Sequence, residues 1–258
     1  MTRLGRVRAT SVAAWHSFLR RRTAVFFTFF FPVILVLIFG VLVGTRPTGG
    51  GLFTEPPGYY VAGYLAVVVL FTPLSRVGSE VARHREGNLF EKLATTPLSR
   101  AEWLLAQTAV NVVVIGLAAG LVLALTVLLT GADVALSPLV VPFVVAGVAL
   151  FCGVGALVGA LADSQDGVVA ASNALALPLL FLSETFVPPS LLPAWIRPLL
   201  ALSPLTYFSR GVRAVTAGTT AGTWFGMPAP GPLAYLGILT GLAVVCFAAG
   251  AAALPRTD

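Results

Sequence analysis

The chain has 258 residues, of which 57% are hydrophobic and only 10% charged, and its formal net charge is +6. Soluble domains hold roughly 45–50% apolar residues even with glycine counted, so this composition excludes an ordinary water-soluble fold and makes the bilayer the solvent. Nucleic acid is not the partner that the positive charge suggests. Six arginines (Arg3, Arg6, Arg8, Arg20, Arg21 and Arg22) precede the first long apolar run, where they read as a topology signal.

In chain order, residues 8–22 place Val12, Trp15, Phe18 and Leu19 at helical spacing ahead of a basic end. The pattern predicts a helix lying in the membrane interface, or a cytoplasmic extension of the first span. A span needs about 20 mostly apolar residues, and six stretches, at approximately 24–43, 59–74, 104–130, 139–162, 168–187 and 233–254, are read as spans. The first is too long for a signal peptide and lacks a small-residue cleavage site after it, so it is expected to stay as a membrane helix. Pro32 is placed to kink it. Residues 45–60, TRPTGGGLFTEPPGYY, are rich in Gly and Pro and read as a short extracellular connection.

Between the second and third spans the chain gathers charge: REGNLFEKLATTPLSRAEW, residues 85–103. Gly87 and Asn88 break the helix continuing from the second span, and Asn88 can cap a new short helix, LFEKLA, with Leu89, Phe90 and Leu93 as its apolar positions. Thr96 and Pro97 end it. Ser99 and Glu102 form a capping-box pattern that starts the third span. The expected object, within a coupling loop at about 80–103, is an amphipathic helix held between two ordered ends. It either braces the interface or docks into a groove on another protein.

Arg76, Arg83, Arg85, Lys92 and Arg100 follow the second span, whereas the first loop offers only Arg46 and the third only Asp133. The excess places this loop and both termini in the cytoplasm, although residues 163–167 carry two acids and no base there. Between the fifth and sixth spans, at about 188–230, prolines cut the chain into pieces too short to cross, yet Leu, Trp and Phe keep it apolar. A re-entrant or interface-lying pair of helical fragments satisfies both facts. No domain boundary emerges, and residues 1–258 read as one all-α membrane domain.

The polar inventory excludes several chemistries. Lys92 is the single lysine and follows Glu91, so no phosphate-binding G-x-x-x-x-G-K-[ST] loop exists. The two histidines, His16 and His84, fall in cytoplasmic segments, which leaves no intramembrane Ser/His pair and no histidine-ligated metal. Cys152 and Cys246 lie within spans and read as small hydrophobes. Glu184, near the outer end of the fifth span, is the acid that an ion-coupled carrier would use. The favoured reading is a hydrated carboxylate, or one paired with Arg197, Arg210 or Arg213, because a single acid with no midplane partner makes a poor proton relay. Asn173, Ser183 and Thr185 share that span and could face a pathway or bond neighbouring helices.

GNLFEKLATTPLSRAEWLLAQ resembles the cytoplasmic loop of the type-two ATP-binding-cassette export permeases, of which the multidrug and daunorubicin-resistance exporters are examples. FLSETFVPPSLLPAWIRPLLALSPLTYFSRGVRAV resembles that family's second pattern, Phe-Leu-Ser-Gly, Leu-Pro-x-Trp, Pro-Leu-Thr-Tyr and a terminal Arg. The order is that of the family. Asn88 stands where threonine is common, and Glu184 where glycine is usual.

The resemblance implies a plasma-membrane permease that is not itself an enzyme. It would be a homodimer or paired with a similar chain, and would be served by two separate ATP-binding subunits that carry ATP and Mg²⁺, with no cofactor on this chain. It places Glu86, Gly87, Asn88, Leu89, Phe90, Glu91, Leu93, Thr96 and Pro97 at the coupling contact. Asn173, Ser183, Glu184, Thr185 and Arg213 would lie along the pathway or its outer gate. Hydrophobic, drug-like or lipid-like cargo is expected. A carrier driven by ions, or a membrane scaffold, is the alternative.

Overall fold

The computed structural model describes residues 2–43, 55–186, 192–217, 223–224 and 227–255. Most of the first connection (44–54), with Arg46, and parts of the 188–230 segment (187–191, 218–222 and 225–226) lie outside the described residues.

Helix α1 (Arg3–Arg20) begins earlier than residue 8, because Thr2 caps it by accepting a hydrogen bond from the Gly5 amide at 3.2 Å. It ends at Arg21, whose non-helical backbone (φ −90°, ψ 76°) separates it from α2 (Arg22–Val36). It is thus a helix in its own right and not an extension of the first span. Phe18 is buried against Val110 and Val114 of α5 (Arg100–Thr130), which docks α1 on the bundle, while Val12 and Leu19 stay exposed. Helix α2 contains Pro32 and passes at Leu37–Val43 into the wider i→i+5 bonding of a π-helix.

Helix α3 (Pro57–Glu86) runs twelve residues beyond the apolar stretch that predicted it. It is the central element: 78% of its most apolar window is buried inside the protein, against 17% for α2. Around it pack α5, α6 (Val140–Leu161), α7 (Gln165–Phe181) and α8 (Pro204–Thr216), and α9 (Pro232–Ala253) lies against α6. Helix α6 reaches both neighbours through glycine. A Cβ on Gly155 would sit 2.5 Å from the Leu74 carbonyl oxygen of α3, and one on Gly153 the same distance from the Cys246 backbone of α9. Such small-residue seams let membrane helices approach backbone to backbone.

Among the described residues, five helices are long and apolar enough to cross a membrane: Arg22–Leu42, Pro57–Glu86, Arg100–Thr130, Val140–Leu161 and Pro232–Ala253. The stretch read as the fifth span is shorter than expected. Helix α7 has 17 residues, so it rises about 26 Å, and its C-cap Leu182 is followed by Glu184 in the left-handed region at φ 53°. Ser183, Glu184 and Thr185 therefore lie on a buried turn and not on the helix. Even so, α7 accompanies α3 along its length, since Gln165 bonds Glu86 at one end and Glu184 is joined through Arg213 to Tyr59 at the other.

The segment before α9 forms helical fragments, as its prolines suggested: a 3₁₀ turn at Arg197–Leu202 and α8, followed by a two-residue strand pair, Thr223–Trp224 with Met227–Pro228. Gly211 of α8 lies against the Phe143 ring of α6 so closely that a Cβ would overlap it.

Candidate functional site

The loop between α3 and α5 carries α4 (Leu89–Ala94) as its only helix. Asn88 occupies the N-cap position in the left-handed conformation (φ 51°, ψ 30°) and makes no side-chain cap bond. Its contribution is thus backbone geometry, which asparagine tolerates better than branched residues, and not the hydrogen bond expected of it. At the far end the Thr96 hydroxyl donates to the Leu93 carbonyl (2.6 Å), and Ser99 with Glu102 closes the anticipated capping box at 3.2 and 2.9 Å.

Phe90 does not face outward as a docking anchor. It is buried against His84 and Trp103, with ring centroids 5.4 and 5.5 Å away, and Leu93 is half-buried beside the same core. Hydrophobic burial of one aromatic face is what holds so short a helix onto the bundle, because six residues cannot sustain helix on their own. The outward face presents Glu86, Gly87, Asn88, Leu89, Glu91, Lys92, Thr96 and Pro97.

The charges flanking α4 bind helix ends. Arg85 donates from Nη1 to the carbonyls of Gly159, Ala160 and Ala162 at 3.2, 2.9 and 2.8 Å, closing the C-terminus of α6. Its neighbour Glu86 accepts from the Gln165 backbone and side-chain nitrogens at 3.1 and 3.0 Å, at the N-terminus of α7. Arg100, past α4, donates to the Ala252 and Leu254 carbonyls at 3.0 and 2.8 Å, closing α9. Each charge complements the helix dipole it meets: cations at C-termini, an anion at an N-terminus. Arg6 of α1 adds an ion pair to Glu102 at 2.6 Å. One loop therefore grips α1, α6, α7 and α9.

At the opposite end of α3, Glu184 is buried (2% exposed) and both its carboxylate oxygens accept from Arg210, from Nε at 2.8 Å and from Nη2. Arg213 donates to the Glu184 carbonyl at 2.8 Å and lies over the Tyr59 ring, 3.7 Å from its centroid. Hydroxyls supply the orphan carbonyls of α7: Ser203 donates to Leu179 at 3.0 Å, Ser183 to Leu180 at 2.6 Å and Thr206 to Leu182 at 3.2 Å. Ser183 and Thr185 also bond each other, with Ser209 beyond. Of the three arginines that sequence offered to Glu184, the side chain takes Arg210.

The sequence pattern of the family described as ABC-2 type transporter matches residues 6–216. The chain belongs to the ABC-2 type transporter family. It is a membrane subunit of an ABC transporter, a multi-pass transport component, and the family normally pairs with an ABC ATP-binding subunit. A search of curated proteins finds no match.

Asn173, alone among the polar residues suggested on the fifth span, lies on helix α7, on its exposed side and at the rim of a cavity of about 460 Å³. That cavity collects residues that sequence reading passed over. Arg76 was counted as a loop charge; it sits inside α3, ten residues before the helix ends, with Thr72, Ser75 and Ser79 on the same wall. The signal was their i, i+3, i+4, i+7 spacing, a polar helical stripe just beyond the apolar run.

Proposed function

We propose that this chain is the permease half of an ATP-driven exporter, with the α3–α5 loop as the coupling element and export running between two such chains. The supporting observation is the loop's division of labour. Its inner residues hold four helices, while its outer face leaves Leu89, Glu91, Lys92 and Pro97 uncommitted for a nucleotide-binding partner.

In this reading the basic end of the bundle and both termini are cytoplasmic, with α7 as a sixth crossing, in the plasma membrane. Two ATP-binding subunits serve the dimer. ATP-driven closure of those subunits displaces α4. Arg85, Glu86 and Arg100 carry that displacement to α6, α7 and α9, and the chain then alternates between two arrangements, each favoured by one nucleotide state. The turn bearing Ser183, Glu184 and Thr185, with Arg213, forms the outer gate, and cargo is hydrophobic, drug-like or lipid-like. An ion-coupled carrier would need Glu184 to exchange protons with water, yet its oxygens are occupied by Arg210.

Purification of the tagged chain from native membranes, with identification of soluble partners and an ATPase assay, tests the proposal. A phosphate-loop ATPase should co-purify, and the pair Leu89→Asp and Glu91→Arg should release it while leaving the permease folded. Phe90→Ala should instead lower the stability of the permease itself, by about 3–5 kcal/mol for an emptied aromatic site. Retention of the ATPase by the Leu89/Glu91 variant, or its absence from every preparation, refutes the coupling role.

A further inference from the structure

The cavity of about 460 Å³ lies between the α1–α2 elbow and α3, and Gln107 of α5 and Asn173 of α7 also line it. It falls within the roughly 300–1,000 Å³ that holds a drug-sized ligand. Its two sides differ in chemistry. Phe27, Phe31 and Phe71 form an apolar side, and Phe27 and Phe31 are 58% and 49% exposed, so this side is continuous with the outer surface of α2, where acyl chains lie. The polar side carries Thr72, Ser75, Ser79 and Arg76 at one helical stripe.

Arg76 is the decisive residue. Its guanidinium sits 4.4 Å from the centre of the Phe18 ring and donates once, at a long 3.4 Å, to Asn111 Oδ1. No carboxylate among the described residues pairs with it. Glu80, the acid at the same cavity, is taken by Arg21 at 3.4 Å and by Arg83. An arginine offers five N–H donors in a planar fork suited to phosphate or carboxylate, and most of this fork is unused. Arg76 lies about 15 Å along α3 from Glu86, which is head-group depth if that end faces water. Glu80 lies near enough to act on Arg76 through space but makes no direct ion pair with it, and a cation kept in an apolar bundle without a direct partner marks a functional site by default.

We infer that this cavity binds an amphipath with an anionic head, the head on Arg76 with help from Ser75 and Ser79 and the chain along Phe27, Phe31 and Phe71. This names a substrate class for the export reading. It rests on that reading only for the direction of travel, since binding itself requires neither nucleotide nor partner.

The probes are dodecyl phosphate, dodecylphosphocholine and inorganic phosphate, titrated onto the chain in phosphatidylcholine nanodiscs without nucleotide. Dodecyl phosphate should bind saturably. Dodecylphosphocholine, with the same chain and no net charge, should bind at least tenfold more weakly, and inorganic phosphate should not bind in the same range. Arg76→Gln should weaken dodecyl phosphate tenfold or more, and Arg76→Lys should restore most of the affinity, which separates charge recognition from a packing role. Equal binding of the two alkyl probes, binding of phosphate alone with equal strength, or unchanged affinity in folded Arg76→Gln overturns the inference. Saturable binding in a chain that captures no ATPase leaves the site standing and removes the export reading; ATPase capture without charge-selective binding does the reverse.

Discussion

Substitution of the Glu184–Arg210 pair separates a structural latch from a proton carrier. Both side chains are largely shielded, 2% and 16% exposed, and the guanidinium fork meets both oxygens. Breaking a buried pair by removing one partner leaves the other charge uncompensated, at about 3–5 kcal/mol, a factor of about 10²–10⁴ in the folded equilibrium. Glu184→Gln keeps shape and backbone conformation, and Arg213 still has the Glu184 carbonyl in every variant, so the change isolates the carboxylate. Arg210→Gln should lose at least as much, because Arg210 also reaches Tyr235. The double variant should recover part of the loss, with a coupling energy of about 2 kcal/mol or more in a double-mutant cycle. The assay is SDS titration in mixed micelles followed by tryptophan fluorescence, with ATP-driven transport measured alongside. Single variants within about 0.5 kcal/mol of wild type, with additive double-variant behaviour, would refute the latch.

Two further outcomes follow from the contacts. Arg85→Ala should speed amide hydrogen exchange in the last turn of α6 and leave α9 unchanged, while Arg100→Ala should do the opposite, each costing about 0.3–1 kcal/mol of dipole and capping stabilisation; equal effects on both helices would mean that the two arginines do not act as separate caps. Gly155→Ala should cost about 1–3 kcal/mol, because the added methyl has only 2.5 Å to the Leu74 oxygen, whereas Gly120→Ala, facing open space, should cost nothing measurable in the same titration.

Where the sequence carried local chemistry, it specified structure well. The capping box at Ser99 and Glu102, the break at Gly87 and Asn88, and the fragmentation by prolines before α9 are short-range effects, and all are present. What it did not specify was partnership. Phe90 and Leu89 are both apolar positions on one short helix, and only the packing of His84 and Trp103 decides which is buried. The continuation of the second helix to Gly87 was legible, but Arg76 was summed with the charges beyond the span because hydropathy ends at Leu74, and its place against Phe18 and Asn111 depends on residues distant in sequence. Glu184 read as helical because Leu and Phe surround it; the left-handed turn depends on arginines 26 and 29 residues away.

At Gly155 and Gly159 toward α3, and at Gly153 toward α9, helix α6 has no side chain between its backbone and its neighbour's, so the helices cannot come closer at these points without backbone collision. These contacts tie the three helices into one frame. Helix α2, with little of its surface packed, hangs from the Arg21 elbow like a door leaf on that frame. In the export reading, motion delivered at the loop would widen or narrow the joint between leaf and frame, and the arginine-lined cavity lies at that joint.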